Sequence, residues 1–199
     1  RKMTVNGVPA KNASELSEVL HTVFFSPEDL FLIREGAAAR RRFMDQSLCQ
    51  LRPRYARALA EYHRLYEHKT RILRDREENP GLLAMLPDFN EGMCRMGAIL
   101  IHYRAQYCRA LDAYAAPAHG DCSGGREKLQ LHYETVKTVI DPFAKTEDIA
   151  QNLRDHQQSH YHAELASGLC LSGPHKDDFL VEVNGRSARQ FCSQGQVRT

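Results

Sequence analysis

The chain has 199 residues, 42% hydrophobic and 26% charged, with a mean hydropathy of −0.52. That length allows one large or two small domains, and no apolar run of about 18 residues is present to cross a membrane. The net charge of +2 leaves no bulk attraction for polyanions, so any nucleic-acid affinity must come from local patches. Six cysteines (49, 94, 108, 122, 170 and 192) are scattered without a Cys-x-x-Cys pair, which suits reduced cytoplasmic thiols and speaks against a structural zinc site.

Lys2–Val5 followed by Asn6-Gly7 predicts a strand ending in a hairpin turn. Ser14 is placed to cap a short helix to Leu20, and Val19–Phe25 reads as a buried strand. Ser26-Pro27-Glu28 supplies an N-cap, a proline at the first helical position and an acid in the first turn. A helix is expected over Ala37–Leu51, and Pro53 opens another. That second helix carries Tyr55, Leu59, Tyr62, Tyr66, Lys69 and Ile72 or Leu73 at alternating spacings of four and three. A third, from Pro80 to Tyr114, repeats the rhythm with Phe89, Met93, Met96, Leu100, Tyr103, Tyr107, Ala110 and Tyr114. Matching seams around Asn79-Pro80-Gly81 predict an antiparallel helical arm, its Met and Tyr residues serving as packing.

Pro117–Gly125 reads as a turn-rich break. Within it, Ser123-Gly124-Gly125-Arg126-Glu127 imitates the nucleotide signature of transporter-type ATPases. Leu129, Leu131 and Tyr133 then alternate with polar residues as a strand does, so no helix N-terminus is available to meet a phosphate. Asp148–Ala166 is the last predicted helix of the arm. His156 and His160, four apart with His162 nearby, have metal-ligand spacing, but without an acidic or Cys partner they fit a polar face better. Leu169–Ser172 is expected to return as a strand. Phe179–Val183 is a further strand, closed by the turn Asn184-Gly185.

The last stretch organises the rest. After that turn, Ser193-Gln194-Gly195-Gln196 stands at what reads as a helix start, where a hydroxyl and unpaired N–H groups suit an anion such as a nucleotide phosphate. An ordinary helix cap would share this spacing. Gly173-Pro174-His175-Lys176-Asp177-Asp178, Asn184-Gly185 and Phe191-Cys192-Ser193-Gln194-Gly195-Gln196-Val197-Arg198-Thr199 together resemble the RecF family of bacterial DNA repair proteins. That family usually shows Arg where Lys176 stands and Gln where Val197 stands. Phe25-Ser26-Pro27-Glu28-Asp29-Leu30 and Arg40-Arg41-Arg42-Phe43-Met44-Asp45 resemble a second block of the same family, so the likeness covers nearly the whole chain.

The resemblance implies an α+β fold, mainly α, in which a long antiparallel helical arm joins a few strands of an ABC-type ATPase head. Residues 1–35 and 169–199 are expected to belong to the head and 36–168 to the arm, with a small strand insertion near 127–134. It further implies ATP and magnesium in the complete protein, none in this chain alone, and a signature (Ser193, Gln194, Gly195, Gln196) that closes on nucleotide held by a second copy. Ser26 and Glu28 are implied in the nucleotide-sensing loop, though a plain helix cap explains them as well. Implied partners are DNA, a self-dimer formed with ATP and a RecR-type mediator, in the service of recombinase loading at gapped DNA.

The sequence holds neither a Gly-x-x-x-x-Gly-Lys-Ser/Thr loop nor an apolar run ending in paired acids to hold magnesium. The chain is therefore expected to be a piece of a longer protein. Asp177 and Asp178, adjacent at a strand, face opposite ways and are given no catalytic role. Between Arg34 and Arg76 twelve basic residues face five acidic ones, a local +7 against +2 for the whole. Arg40, Arg41, Arg42, Arg54, Arg57 and Arg64 are the DNA-contact candidates, by shape and backbone rather than base sequence. Helices that solvate themselves with arginine would look alike. A stand-alone protein-interaction module without nucleotide or DNA business is the alternative for the chain as a whole.

Overall fold

The computed structural model describes residues 3–9, 20–24, 26, 29 and 31–192. Thr4–Val5 (β1) and Val8–Pro9 (β2) form the expected hairpin, paired antiparallel. Asn6 and Gly7 take φ of 50° and 81°, the left-handed values that a two-residue hairpin turn requires. The helix expected after Ser14 lies outside the described residues. Residues 20–24 form no strand: Val23 and Phe24 are 101% and 85% exposed, so their hydrophobicity is not matched by a facing layer.

Ala37–Leu51 (α1) and Pro53–Arg74 (α2) occupy the predicted positions. Arg52 between them is extended, which the proline that follows it favours, and Pro53 then starts α2 without losing an intrahelical bond. A 3₁₀ stretch over Pro80–Met85 leads into Leu86–Cys122 (α3), 37 residues long. This helix runs through the break expected at Pro117. Proline removes one hydrogen bond, but the flanking Ala113, Ala115, Ala116 and Ala118 are strong helix formers. His119 beyond it is buried against Glu127, Nε2 to Oε2 2.9 Å.

Gly124 and Gly125 end α3 in left-handed conformations, with Gly125 N–H donating to Gly120 O at 2.7 Å. Ser123-Gly-Gly is therefore the carbonyl end of a helix, of the wrong polarity for a phosphate. Leu129–Glu134 (β3) follows, then Thr146–Ser167 (α4), closed by Gly168 at φ 69°. The strand expected over Leu169–Ser172 is absent. Its backbone is drawn instead to a side chain: Leu171 N–H donates to Glu164 Oε1 at 2.7 Å.

Asp178–Val183 (β4) lies between β3 and Arg186–Ser187 (β5), antiparallel to both, with Leu131 opposite Val181 and Tyr133 opposite Phe179. Ala188–Phe191 (α5) is the last described helix. Thr4–Val5 and Asp178–Val183 belong to separate sheets. The architecture is thus mainly helical with two small antiparallel sheets. Helix α3 packs along α2 through Tyr55, Tyr62, Leu65, Leu73, Met93 and Leu100, the seam that the heptad spacing predicts. Its other face packs on α4 through Cys94, Ala98, Ile101, Ile149 and Leu153. Met44, Cys108 and Phe179 join α1, α3 and β4.

Candidate functional site

The Gly-Pro-His motif sits where these layers meet. Gly173 adopts φ 131°, and a Cβ there would collide with the Tyr62 hydroxyl, so only glycine fits. Pro174–Lys176 makes one 3₁₀ turn. Pro174 packs on Gly97 of α3, where a Cβ would lie 3.0 Å from the proline ring.

One guanidinium fastens this turn to the helices. Arg104 is 3% exposed and donates through Nη1 to Pro174 O (2.7 Å) and Asp177 Oδ2 (3.0 Å). Its Nη2 forks onto both oxygens of Asp45 (2.9 and 3.1 Å), and Nε reaches the Tyr55 hydroxyl at 3.0 Å. Tyr55 donates to Asp45 and Tyr133 to Asp177. Burial raises the Asp177 pKa, opposed first by Arg104. Burial also raises those of Tyr55 and Tyr133, so both phenols stay protonated as donors.

Asp178 points the other way, as adjacent positions at a strand must. Arg40 grips both its oxygens at 2.7 and 2.8 Å. The same guanidinium donates to the carbonyls of Leu32, Ile33 and Glu35, and Arg41 donates to Asp177 O at 2.7 Å. His175 receives the Tyr62 hydroxyl at Nδ1 (2.8 Å) while Nε2 donates to Cys170 O (3.1 Å). That neutral tautomer matches its pKa, pushed down to about 4 chiefly by burial. Lys69 and Glu164, 0% and 2% exposed, pair at 2.6 Å. Glu164 Oε1 also accepts the N–H groups of Leu171 and Ser172. His156 bonds the Ser172 hydroxyl at 2.7 Å and stacks on His160, centroids 4.1 Å apart; this stacking and its hydrogen bonds account for the histidine pair.

Chemically this arrangement is a fastening. Both carboxylates of the Asp-Asp pair are engaged with arginines, one buried and one half-buried, which leaves no paired acids facing solvent to hold a cation. Sequence reasoning missed Asp45, Arg104, Tyr133 and Glu164. The available signal was polar residues on apolar stripes: Arg104 follows Met93, Gly97 and Ile101 along α3, and Lys69 stands in the α2 seam.

The predicted site residues divide sharply. Ser193, Gln194, Gly195 and Gln196 lie outside the described residues, as does Glu28. Ser26 makes a turn with Asp29, its N–H donating to Asp29 Oδ2 at 2.7 Å and its carbonyl accepting Asp29 N–H at 3.0 Å. Arg40, 4% exposed, is no DNA contact: its guanidinium is consumed by Asp178 and three carbonyls. Arg41 is half-buried and committed in part to Asp177. Arg42, Arg54, Arg57 and Arg64 are exposed, the last paired with Glu61 at 2.6 Å. Part of the +7 stretch is therefore internal structure, and the remainder is a surface along α1 and α2.

No protein-family model matches the chain. Curated proteins do. The DNA replication and repair protein RecF of Agathobacter rectalis is 37% identical over 199 residues, 99% of this chain and 51% of that protein. The RecF of Alkaliphilus oremlandii is 32% identical over 202 residues, 100% of this chain and 53% of that protein. A solved structure of the recombination mediator protein RecF-ATPrS in the RecFOR pathway superposes with a TM-score of 0.92 at 27% identity, covering 99% of this chain and 52% of that one. The chain is RecF-like from end to end. A second RecF structure, RecF-ATP in the same pathway, gives a TM-score of 0.88 at 28% identity, covering 98% of this chain and 52% of that one. The RecF-like chain spans about half the length of the curated relatives it matches.

Proposed function

We propose that the chain is the arm and signature region of a RecF-like ATPase that dimerises with ATP, binds DNA and supports recombinase loading at gapped DNA beside a RecR-type mediator. The observation that carries this reading is the correspondence of nearly the whole chain with RecF structures solved with ATP and ATPrS. The fastening agrees with it. β4, β5 and α5 lead from the Gly-Pro-His turn toward Ser193, so a turn locked to four helices gives that segment a stiff mount. In this reading Ser193 and the N–H groups near Gly195 and Gln196 receive the γ-phosphate of nucleotide bound to the second copy. Ser26 and Glu28 belong to the nucleotide-sensing loop. In this reading nucleotide and magnesium are held by other parts of a longer protein, and the acids of the Gly-Pro-His motif serve the fastening through Arg104 and Arg40. Arg42, Arg54, Arg57 and Arg64 face duplex phosphates.

The test is Ser193→Arg in the longer protein. The arginine adds bulk where two copies must close to hydrogen-bond distance, and it removes bonds to phosphate of about 1.5–3 kcal/mol each. ATP binding should stay near normal while sedimentation with a non-hydrolysable analogue shows monomer. A variant that dimerises like wild type returns Ser193 to the role of a helix cap.

A further inference from the structure

Helix α2 carries two rows of residues, each repeating every seven positions. Tyr55, Tyr62 and Lys69 form the inner row, 0%, 2% and 0% exposed, and Arg57, Arg64 and Arg71 form the exposed outer row. A two-residue offset turns the outer row by about 200° from the inner one, and seven residues advance it by about 10 Å. The rows therefore lie on opposite sides of one rigid rod.

Every inner residue ends on the fastening of the Gly-Pro-His turn. Tyr55 meets Arg104, which holds Pro174 O and Asp177. Tyr62 meets His175. Lys69 meets Glu164, which holds the amides of Leu171 and Ser172. The hydrogen bonds of Tyr55 and Tyr62 are directional and the Lys69–Glu164 ion pair is close and buried, so a small roll of α2 disturbs all three at once, where an apolar seam alone would slip. On the outer side, Arg57 and Arg71 have no ion-pair partner among the described residues, and Arg64 is shared with Glu61.

We propose that α2 links the two surfaces: a polyanion seated on Arg57, Arg64 and Arg71 tightens the Leu171–Asp178 turn, with Tyr62 and Lys69 as positioning residues. This rests on reading the outer row as a phosphate surface. A rod gripped along its outer side loses the freedom to roll, and the inner bonds then open less often. The turn feeds β4 and α5, so the occupied outer row stiffens the mount of the segment that begins at Ser193.

Hydrogen exchange on the protein with and without a short duplex DNA at low salt tests the link. Amides of Leu171, Ser172, Gly173, His175 and Asp177 should exchange more slowly with duplex, by about threefold or more, while the β1–β2 hairpin is unchanged. Tyr62→Phe keeps the ring but removes the bond to His175; it should bind duplex as before and lose the slowing. Failure of the wild type to bind duplex overturns the reading of the outer row itself. Binding with unchanged exchange at 171–178 overturns the link alone, and so does Tyr62→Phe slowing like wild type. Should that variant not fold, the wild-type comparison still decides.

Discussion

Arg104 shows what a single buried charge commits a fold to. Its cation lies between the carboxylates of Asp45 and Asp177, and burial works against it. The surrounding phenols and carboxylates outweigh that cost, first Tyr55, then Asp177 and Asp45, and hold its pKa well above the ordinary value. Removing one member of such a cluster leaves the others buried without a counter-charge. Arg104→Met should therefore destabilise the chain by about 3–5 kcal/mol. Arg104→Lys should recover only part of this, since an ammonium cannot fork onto Asp45 while also reaching Pro174 and Asp177. Urea midpoints measure both; a methionine variant within about 1 kcal/mol of wild type would show the cluster to be replaceable by packing. The sequence placed Tyr55, Tyr62 and Lys69 on an inward seam, and all three are buried there. Their polar ends were illegible because the partners stand 10 to 113 residues away, and heptad spacing says nothing about where such partners land.

At the scale of elements, local chemistry was the reliable guide. The hairpins at Asn6-Gly7 and Asn184-Gly185, the start of α2 at Pro53 and the alternation of β3 each rest on backbone preferences of a few residues. Val19–Phe25 and Leu169–Ser172 were hydrophobic enough for strands, but a strand needs a neighbour, and neither has one among the described residues. Pro117 failed as a helix breaker because alanines and the buried His119 contact sustain α3 around it. The basic stretch was half legible for the same reason. Charge counting cannot separate Arg40, consumed inside, from Arg54 and Arg57 in solvent. The exposed subset is what the DNA reading needs. Replacing Arg54, Arg57 and Arg64 with Glu should weaken duplex binding in the longer protein. It should also flatten the dependence of log affinity on log salt by about 0.9 per lost contact. A titration across salt concentrations checks this, and an unchanged slope in a folded variant would assign these arginines to solvation.

At the scale of the molecule, the fastening joins α1, α2, α3, α4 and both longer strands through the Gly-Pro-His turn, so a titration there is felt by the whole body. His175 is held at about pKa 4 by burial first, with Lys176, Lys69 and Arg41 adding to the effect. His156 is lowered as well, by burial and then by His160. An unfolded histidine takes its proton near pH 6.5, whereas folded His175 refuses one until about pH 4. Between those values the unfolded state binds more protons, so stability is complete above pH 6.5 and falls as the pH drops toward 4. For His175 the loss amounts to about 3 kcal/mol. Asp177, raised by burial, contributes with the opposite sign, so the histidine share is best read as a difference between variants. Urea midpoints from pH 7.5 to pH 4 should decline in wild type, and His175→Asn should lose much of that decline while starting from a lower midpoint. The lower start follows from the bonds to Tyr62 and Cys170, and the flatter profile follows from having no imidazole to protonate. Parallel profiles for the two proteins would mean that the Tyr62 bond tolerates a charged His175, and the neutral tautomer would then not be what holds the turn.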